Sequence, residues 1–460
     1  MQILTTETPR GFTLEITGAW QASPCEFRYP EAIWSAYPAK QTLINQLAYL
    51  NTLVTPLILR HPHVQYDTDQ PRFLDIYRDG FEQAIPNLVE HVEHESSADI
   101  LERFRALDIQ FSTRRDKETL PVVDDWNPKR VVLPLSFGKD SLTSLAVLRE
   151  HGYEVIPVFI DQRTLPRILK ISTGFMQQLK DQFGLPCARV DNELHLLSDY
   201  EVLEQPRSYL YQAQVHFVYM LAMLPFCYYH RAPTIIQSNE LVNSLQKRHR
   251  EGALLAHKVM QSEPMNHQVS ELLGKLTDGQ ISAANPIGGL GDLSINLLLY
   301  EQFHDYSSMR VSCHMEITPH KHWCHNCVRC AHAYLDLCAM GRNPTEYGFE
   351  QSMLTEEGQH RFRLYEKGSI DEEDQYRQFF AREELLSFHL AYRRGCREPL
   401  VVQTVEHYPL GESELTEIAD TLIRSFAEPT NTIEQETMTC FNEQLDDIRP
   451  RFMHTEGNEL

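Results

Sequence analysis

Positive charge is scarce in this sequence. Lys and Arg together number 42 against 64 Asp and Glu, a formal net charge of −22 over 460 residues. A surface that acidic repels phosphate backbones, which argues against a nucleic-acid partner and leaves room only for a local basic groove. Long apolar runs are also missing. The longest, from Ala213 to His230, carries Gln214, His216 and Pro225. It falls short of the roughly 20 clean residues of a bilayer span, so a buried helix and no membrane association are expected. The opening MQILTTETPRGF is mixed and polar, without the charged-then-apolar order of a leader. Scattered cysteine pairs are absent as well: the ten cysteines lie mainly in one cluster. That favours metal ligation in a reducing compartment over disulfides, with the cytoplasm as the expected location.

What remains is ordinary globular material, 42% apolar and 23% charged, which excludes wholesale disorder and collagen-like repeats. The length implies two or three domains. Residues 1–125 combine short alternating segments such as Phe12–Ile16 with a helical pattern, TLINQLAYLNTLVTPLI, and a charged helix-like run from Ser97 to Lys117. They read as a small α+β module. After the Pro- and Asp-containing junction PVVDDWNPKR, residues 126–345 change texture. VVLPL, YEVIPVFID, LPCARV and PTIIQ read as strands separated by helical stretches. That alternation predicts an α/β fold, a parallel sheet with helices on both faces. Residues 346–460 are charged and mostly helix-like, a helical C-terminal region.

The strongest motif is Val131-Val132-Leu133-Pro134-Leu135-Ser136-Phe137-Gly138-Lys139-Asp140-Ser141-Leu142. A buried strand runs into a tight turn that opens a helix. A helix N-terminus presents unpaired N–H groups and partial positive charge, so an anion is stabilised there. Gly138 admits close backbone approach, Ser136 and Ser141 offer hydroxyls, Lys139 a cation, and Asp140 a carboxylate able to hold Mg²⁺. The alternative is an ordinary Ser/Asp cap. GxxxxGK[ST] spacing is absent, so this is not a Walker loop. The segment resembles the SGGxDS pyrophosphate loop of the N-type ATP pyrophosphatase (PP-loop) superfamily, with Phe137 where that motif has glycine. The resemblance implies an adenine nucleotide alpha hydrolase-like fold. It also implies ATP bound by Ser136, Phe137, Gly138, Lys139, Asp140 and Ser141, with Lys139 and Asp140 catalytic. Asp161, ending the second strand of this unit, lies at the carboxyl edge where such sheets bind ligands and reads as a contact to a ribose hydroxyl or as a solvated strand-end carboxylate. Ser238-Asn239-Glu240 falls on the same edge, as substrate-facing residues or a helix cap. Lys247, Arg248 and Arg250 read as an anion contact or a solvated helix face.

Cys313-x10-Cys324-x2-Cys327-x2-Cys330 is the second motif. Four thiolates suit tetrahedral Zn²⁺, with no position left for water, so the metal would be structural. Any of His314, His320, His322, His325 and His332 is able to replace one sulfur, and an iron–sulfur cluster is the competing occupant. Cys338 falls on a helical pattern and reads as core. Loop and cysteines in this order resemble the QueC-like 7-cyano-7-deazaguanine synthases over about residues 130 to 345. The run Ser312-Cys313 with Trp323-Cys324-His325-Asn326-Cys327-Val328-Arg329-Cys330, together with Tyr347-Gly348-Phe349, also resembles the MurL-type UDP-muramoyl-dipeptide epimerases.

These resemblances imply an ATP-dependent enzyme that adenylates a small-molecule or protein-borne carboxylate and releases pyrophosphate. Attack by a nitrogen nucleophile follows in the ligase reading. In the epimerase reading, the acyl-adenylate loses and regains its α-proton. ATP, Mg²⁺ and Zn²⁺ are the expected cofactors, and a homo-oligomer stays open. Sulfur transfer would require a persulfide cysteine, for which Cys187 is the candidate. A zinc-stabilised, ATP-binding sensor without turnover is the non-enzymatic alternative.

Overall fold

The computed structural model describes residues 1–460 except 19–22, 93–94, 113–119, 163–165, 207, 209, 312–322, 367–372, 427 and 455–460. The described residues form twelve strands: β1 Gln2–Thr8, β2 Gly11–Thr17, β3 Cys25–Arg28, β4 His63–Tyr66, β5 Asp108–Gln110, β6 Arg130–Pro134, β7 Glu154–Asp161, β8 Ala188–Asn192, β9 Thr234–Ile236, β10 Gln246–Arg248, β11 Leu254–Ala256 and β12 Ser282–Ala284. Ten of them form one mixed sheet in the order β12-β9-β6-β7-β8-β3-β2-β1-β4-β5. The block from β12 to β8 is parallel throughout, and β3 joins it antiparallel through Phe27↔Asn192 and Arg28↔Asp191.

The central strands are apolar on both sides because both sides are covered. Val132, Ile156, Val158 and Ile235 enter one hydrophobic core. Their alternating neighbours Val131, Leu133, Val155, Phe159 and Ile236 enter the other. Helices Lys40–Thr52, Leu74–Leu88, Gln212–Ala222 and Glu263–Leu276 fill the first. Helices Lys139–Glu150, Val328–Ala339, Gln375–Arg393 and Thr432–Met453 fill the second. The four strands expected from residues 126–345 are β6 to β9. From β6 the chain moves to β7 and β8 on one side, then to β9 and β12 on the other. Their carboxyl ends therefore splay around a switch point, where open α/β sheets form crevices.

Three expectations are corrected. The Ser97–Lys117 run is helical only over Ser97–Arg105. Leu107, Ile109 and Phe111 then alternate, and β5 pairs in parallel with β4; residues 113–117 lie outside the described part. The Ala213–His230 stretch is two helices, Gln212–Ala222 and Leu224–His230, interrupted just before Pro225, which has no N–H to continue the ladder. Lys247 and Arg248 lie on the β10–β11 hairpin, not on a helix. No described helix is long and apolar enough to cross a membrane.

Candidate functional site

A cavity of about 520 Å³ opens at the switch point, lined by Pro134, Val158, Phe159, Ile160 and Ile236 from the strand ends. Leu135 N donates to Val158 O (2.8 Å), and the chain then turns through Ser136 and Phe137 into the helix starting at Lys139. Phe137 sits at φ +59°, a left-handed conformation that costs a side-chain-bearing residue about 1–2 kcal/mol and that glycine adopts freely. Its ring compensates by full burial, 6.2 Å from Phe159 and 5.7 Å from Phe175 between centroids. The ring thus points into the core, away from the cavity. Gly138, the N-cap of the helix, supplies no side-chain acceptor, and Gly138, Lys139, Asp140 and Ser141 face the cavity. Ser136 Oγ accepts from Gly138 N (3.3 Å) and lies 3.2 Å from Ser141 Oγ.

The Lys139 ammonium is surrounded by three carboxylates: Asp140 Oδ1 at 2.5 Å, Glu240 Oε2 at 2.5 Å and Asp292 Oδ1 at 2.9 Å. Burial alone would lower its pKa, but Asp140, Asp292 and Glu240 together hold it well above the ordinary value. Burial pushes the Glu240 carboxyl up to about 7, with Lys139 opposing and the two aspartates reinforcing. Burial also disfavours ionised Asp292, yet Lys139 overrides it and keeps that carboxyl below its usual range.

Around this cluster the cavity is basic. Lys139, Lys258, Arg310, Arg329 and Arg363 line it against Asp140, Glu240 and Asp292. Five cations facing three carboxylates, in a chain of net charge −22, make this the local basic groove that composition left open. Such a surface selects anions. Arg310 is buried and donates to Tyr300 Oη at 2.9 Å. His332 faces Glu384 Oε1 at 2.8 Å; burial would lower its pKa, but that carboxylate raises it.

The sequence-predicted residues divide into two groups. Ser136, Gly138, Lys139, Asp140, Ser141 and the Ser238-Asn239-Glu240 segment are brought together on the cavity. Asn239 Nδ2 donates to Asn266 Oδ1 (2.7 Å) and Ser238 Oγ to Ser144 Oγ (2.9 Å), which fixes the segment. Asp161 is buried off the cavity, its carboxylate 2.6 Å from Arg189. Lys247 pairs with Glu90 at 2.8 Å, Arg248 with Glu373 at 2.5 Å, and Arg250 donates to Val92 O at 2.9 Å. That run ties the hairpin to its neighbours. Asp292, Lys258, Arg310 and Arg363 were missed. Asp292 alone carried a signal, the turn Gly288-Gly289-Leu290-Gly291 before it. A Cβ on Gly291 would lie 2.6 Å from Glu383 Oε1 and 2.8 Å from the Phe379 ring, so the helix opening at Asp292 requires glycine there.

Cys324, Cys327 and Cys330 converge into a group able to hold a metal ion, their sulfurs all within 4.8 Å of one another. Cys324–Cys330 is 3.7 Å and Cys327–Cys330 is 3.4 Å, close to the edge of about 3.8 Å set by tetrahedral Zn–S bonds of about 2.3 Å. Asn326 N donates to Cys324 Sγ at 3.4 Å, as in a knuckle turn. Cys313, His314, His320 and His322 lie outside the described residues. His325 Nε2 accepts from Glu350 N (3.0 Å) and His332 faces Glu384, and the converging group among the described residues consists of the three cysteines. Trp323 packs over the knuckle, stacked on Phe349 at 4.4 Å and donating to Tyr347 O at 2.7 Å. Cys327 is the N-cap of the Val328–Ala339 helix, whose first turn places Val328, Arg329 and His332 on the cavity. The cysteines thereby set the start of one cavity wall. Cys338 is buried in the core. Cys187 lies off the cavity with its thiol pushed up to about 12 by burial, and no described cysteine lines the cavity.

No protein-family model matches the chain, and no curated protein matches it.

Proposed function

We propose that the protein is a PP-loop ATP pyrophosphatase that adenylates a carboxylate and passes the acyl group to a nitrogen nucleophile, with QueC-like chemistry on an adenine nucleotide alpha hydrolase-like fold. The observation that carries this reading is the place of the Ser136–Ser141 turn. It joins the carboxyl end of β6 to an uncapped helix start, inside a basic cavity at the sheet's switch point. A triphosphate tail suits that location, because helix N-termini and lysines stabilise phosphate charge.

In the reaction, one oxygen of the acceptor carboxylate attacks the α-phosphorus. The bond from that phosphorus to the bridging oxygen breaks in line, and pyrophosphate leaves with the electron pair. Lys139, the first-turn amides and the two serine hydroxyls hold the leaving group, which is electrostatic and positional work. Asp140, Asp292 and Glu240 present oxygens 2.5–2.9 Å from one point, now taken by the Lys139 ammonium. Oxygen donors suit a hard divalent cation, so with the Lys139 ammonium drawn to the phosphates these carboxylates would hold Mg²⁺, which would neutralise phosphate charge. The cysteine knuckle would hold Zn²⁺ as a structural clip. The absence of a described cysteine from the cavity wall weighs against sulfur transfer.

The test is AMP and pyrophosphate formation from ATP with an ammonium salt as nitrogen nucleophile and a panel of carboxylic acids, led by 7-carboxy-7-deazaguanine and UDP-muramoyl dipeptide. Release dependent on one acid is expected, with Asp140→Asn lowering it by about 10²–10³-fold, the scale of one electrostatic contact. No release across the panel, or unchanged release by the variant, would overturn the reading.

A further inference from the structure

Part of the cavity lining comes from segments far from the phosphate loop in sequence: the stretch after β11, the start of the Val328–Ala339 helix, and Arg363, Tyr376 and Phe380 of the C-terminal region. Lys258 belongs to this part of the lining. Its backbone is fixed by Lys258 N donating to Asn243 O (3.1 Å), and the preceding His257 stacks on Tyr376 with ring centroids 3.8 Å apart. Its side chain is part-buried and lines the cavity, and its ammonium has no hydrogen bond or ion pair to a described residue. A cation so placed is available to an anionic ligand. Burial lowers its pKa, with the Arg329 charge adding to the effect and Glu240 opposing it. The start of the twelve-residue Val328–Ala339 helix meets the same part of the lining, bringing its positive dipole end. Lysine, neighbouring arginine and helix start thus meet at the cavity, within electrostatic reach of the Lys139 cluster.

We infer that Lys258 is the anion-binding residue of a second subsite of this cavity, which seats the acceptor's carboxylate beside the phosphate loop. The adenylation reading supplies the identity of this anion; the subsite itself stands on the cavity's geometry. A lysine there receives the carboxylate oxygens, and the His257–Tyr376 stack and Phe380 give the acceptor's body an apolar surface. Lys139 and Lys258 then divide the labour, one for the leaving phosphates and one for the incoming acid.

The experiment titrates benzoate and its neutral isostere benzamide into the full chain, with and without saturating α,β-methylene analogue of ATP. Benzoate is expected to bind about tenfold or more tighter than benzamide, the scale of one charge-assisted contact. Lys258→Met should erase that preference, Lys258→Arg should keep it, and analogue affinity should be kept in Lys258→Arg and fall by less than benzoate affinity in Lys258→Met, because Lys139 and the loop amides still hold the phosphates. Equal binding of the two probes by the wild type, or a preference that survives Lys258→Met, overturns the assignment. So does a Lys258→Met variant that loses the analogue instead. Should the wild type refuse the analogue yet prefer benzoate, the adenylation reading falls and the subsite stands.

Discussion

Phe137 shows how one side chain reconciles two demands. The turn asks for a left-handed residue, and the core asks for an aromatic ring beside Phe159 and Phe175. Replacing it by glycine relieves about 1–2 kcal/mol of backbone cost but removes a buried phenyl group worth about 3–5 kcal/mol. Phe137→Gly should therefore destabilise the protein by about 2 kcal/mol, read as a lower urea midpoint. Glu240 offers a test by pH. Its carboxyl is raised from 4.5 to about 7 in the folded chain, so between those values the native state holds a proton the unfolded state has lost. Its contribution to stability is then full below pH 4.5 and disappears as pH rises through 7. Thermal melts at pH 5 and pH 8 should show a smaller drop for Glu240→Gln than for the wild type, and an equal drop would contradict the assignment. The loop residues were legible in the sequence because strand, turn and helix are contiguous there. Lys258, Arg310 and Arg363 were not, since only tertiary packing brings residues so far apart onto one wall.

Among the elements, the Val328–Ala339 helix connects the cysteine knuckle to the cavity. Its N-cap is Cys327, its first turn carries Arg329 and His332, and Trp323 and Phe349 cover its start. A metal ion there would fix where that wall begins. The chain as purified should carry one zinc per molecule by elemental analysis. Cys330→Ser should lose it and melt several degrees lower, with cavity ligands weakened in parallel; a metal-free wild type of equal stability would refute the site. CxxCxxC spacing made this knuckle readable. The helix expected from Ser97 to Lys117 was misjudged because charged residues hid the alternation of Leu107, Ile109 and Phe111, and strand pairing with β4 decided the matter. The basic run at Lys247 was likewise read as a helix face, because three-residue strands leave too little periodicity to recognise.

At the scale of the whole molecule, the ten-stranded sheet runs unbroken from β12 to β5. One hydrophobic core draws Ile3, Phe12 and Tyr66 together with Phe217, Val269 and Ile235. An exposed β8 edge and half of that core would result if residues 1–125 came away. The two parts should unfold as one cooperative unit, giving a single calorimetric transition over β1 to β12; a separate early transition assigned to residues 1–125 by proteolysis would contradict this. A parallel sheet with helices on both faces followed from the alternation of strand and helix patterns. The joining of β3 to β8 did not, because nothing local to either strand specifies its partner.

Arg363, Tyr376 and Phe380 complete a cavity whose other lining residues lie between Pro134 and His332. During synthesis the phosphate turn therefore emerges from the ribosome long before its cover exists. A truncated product ending ahead of Tyr376 would lack part of the lining, so a nascent chain gains a finished pocket only late in translation.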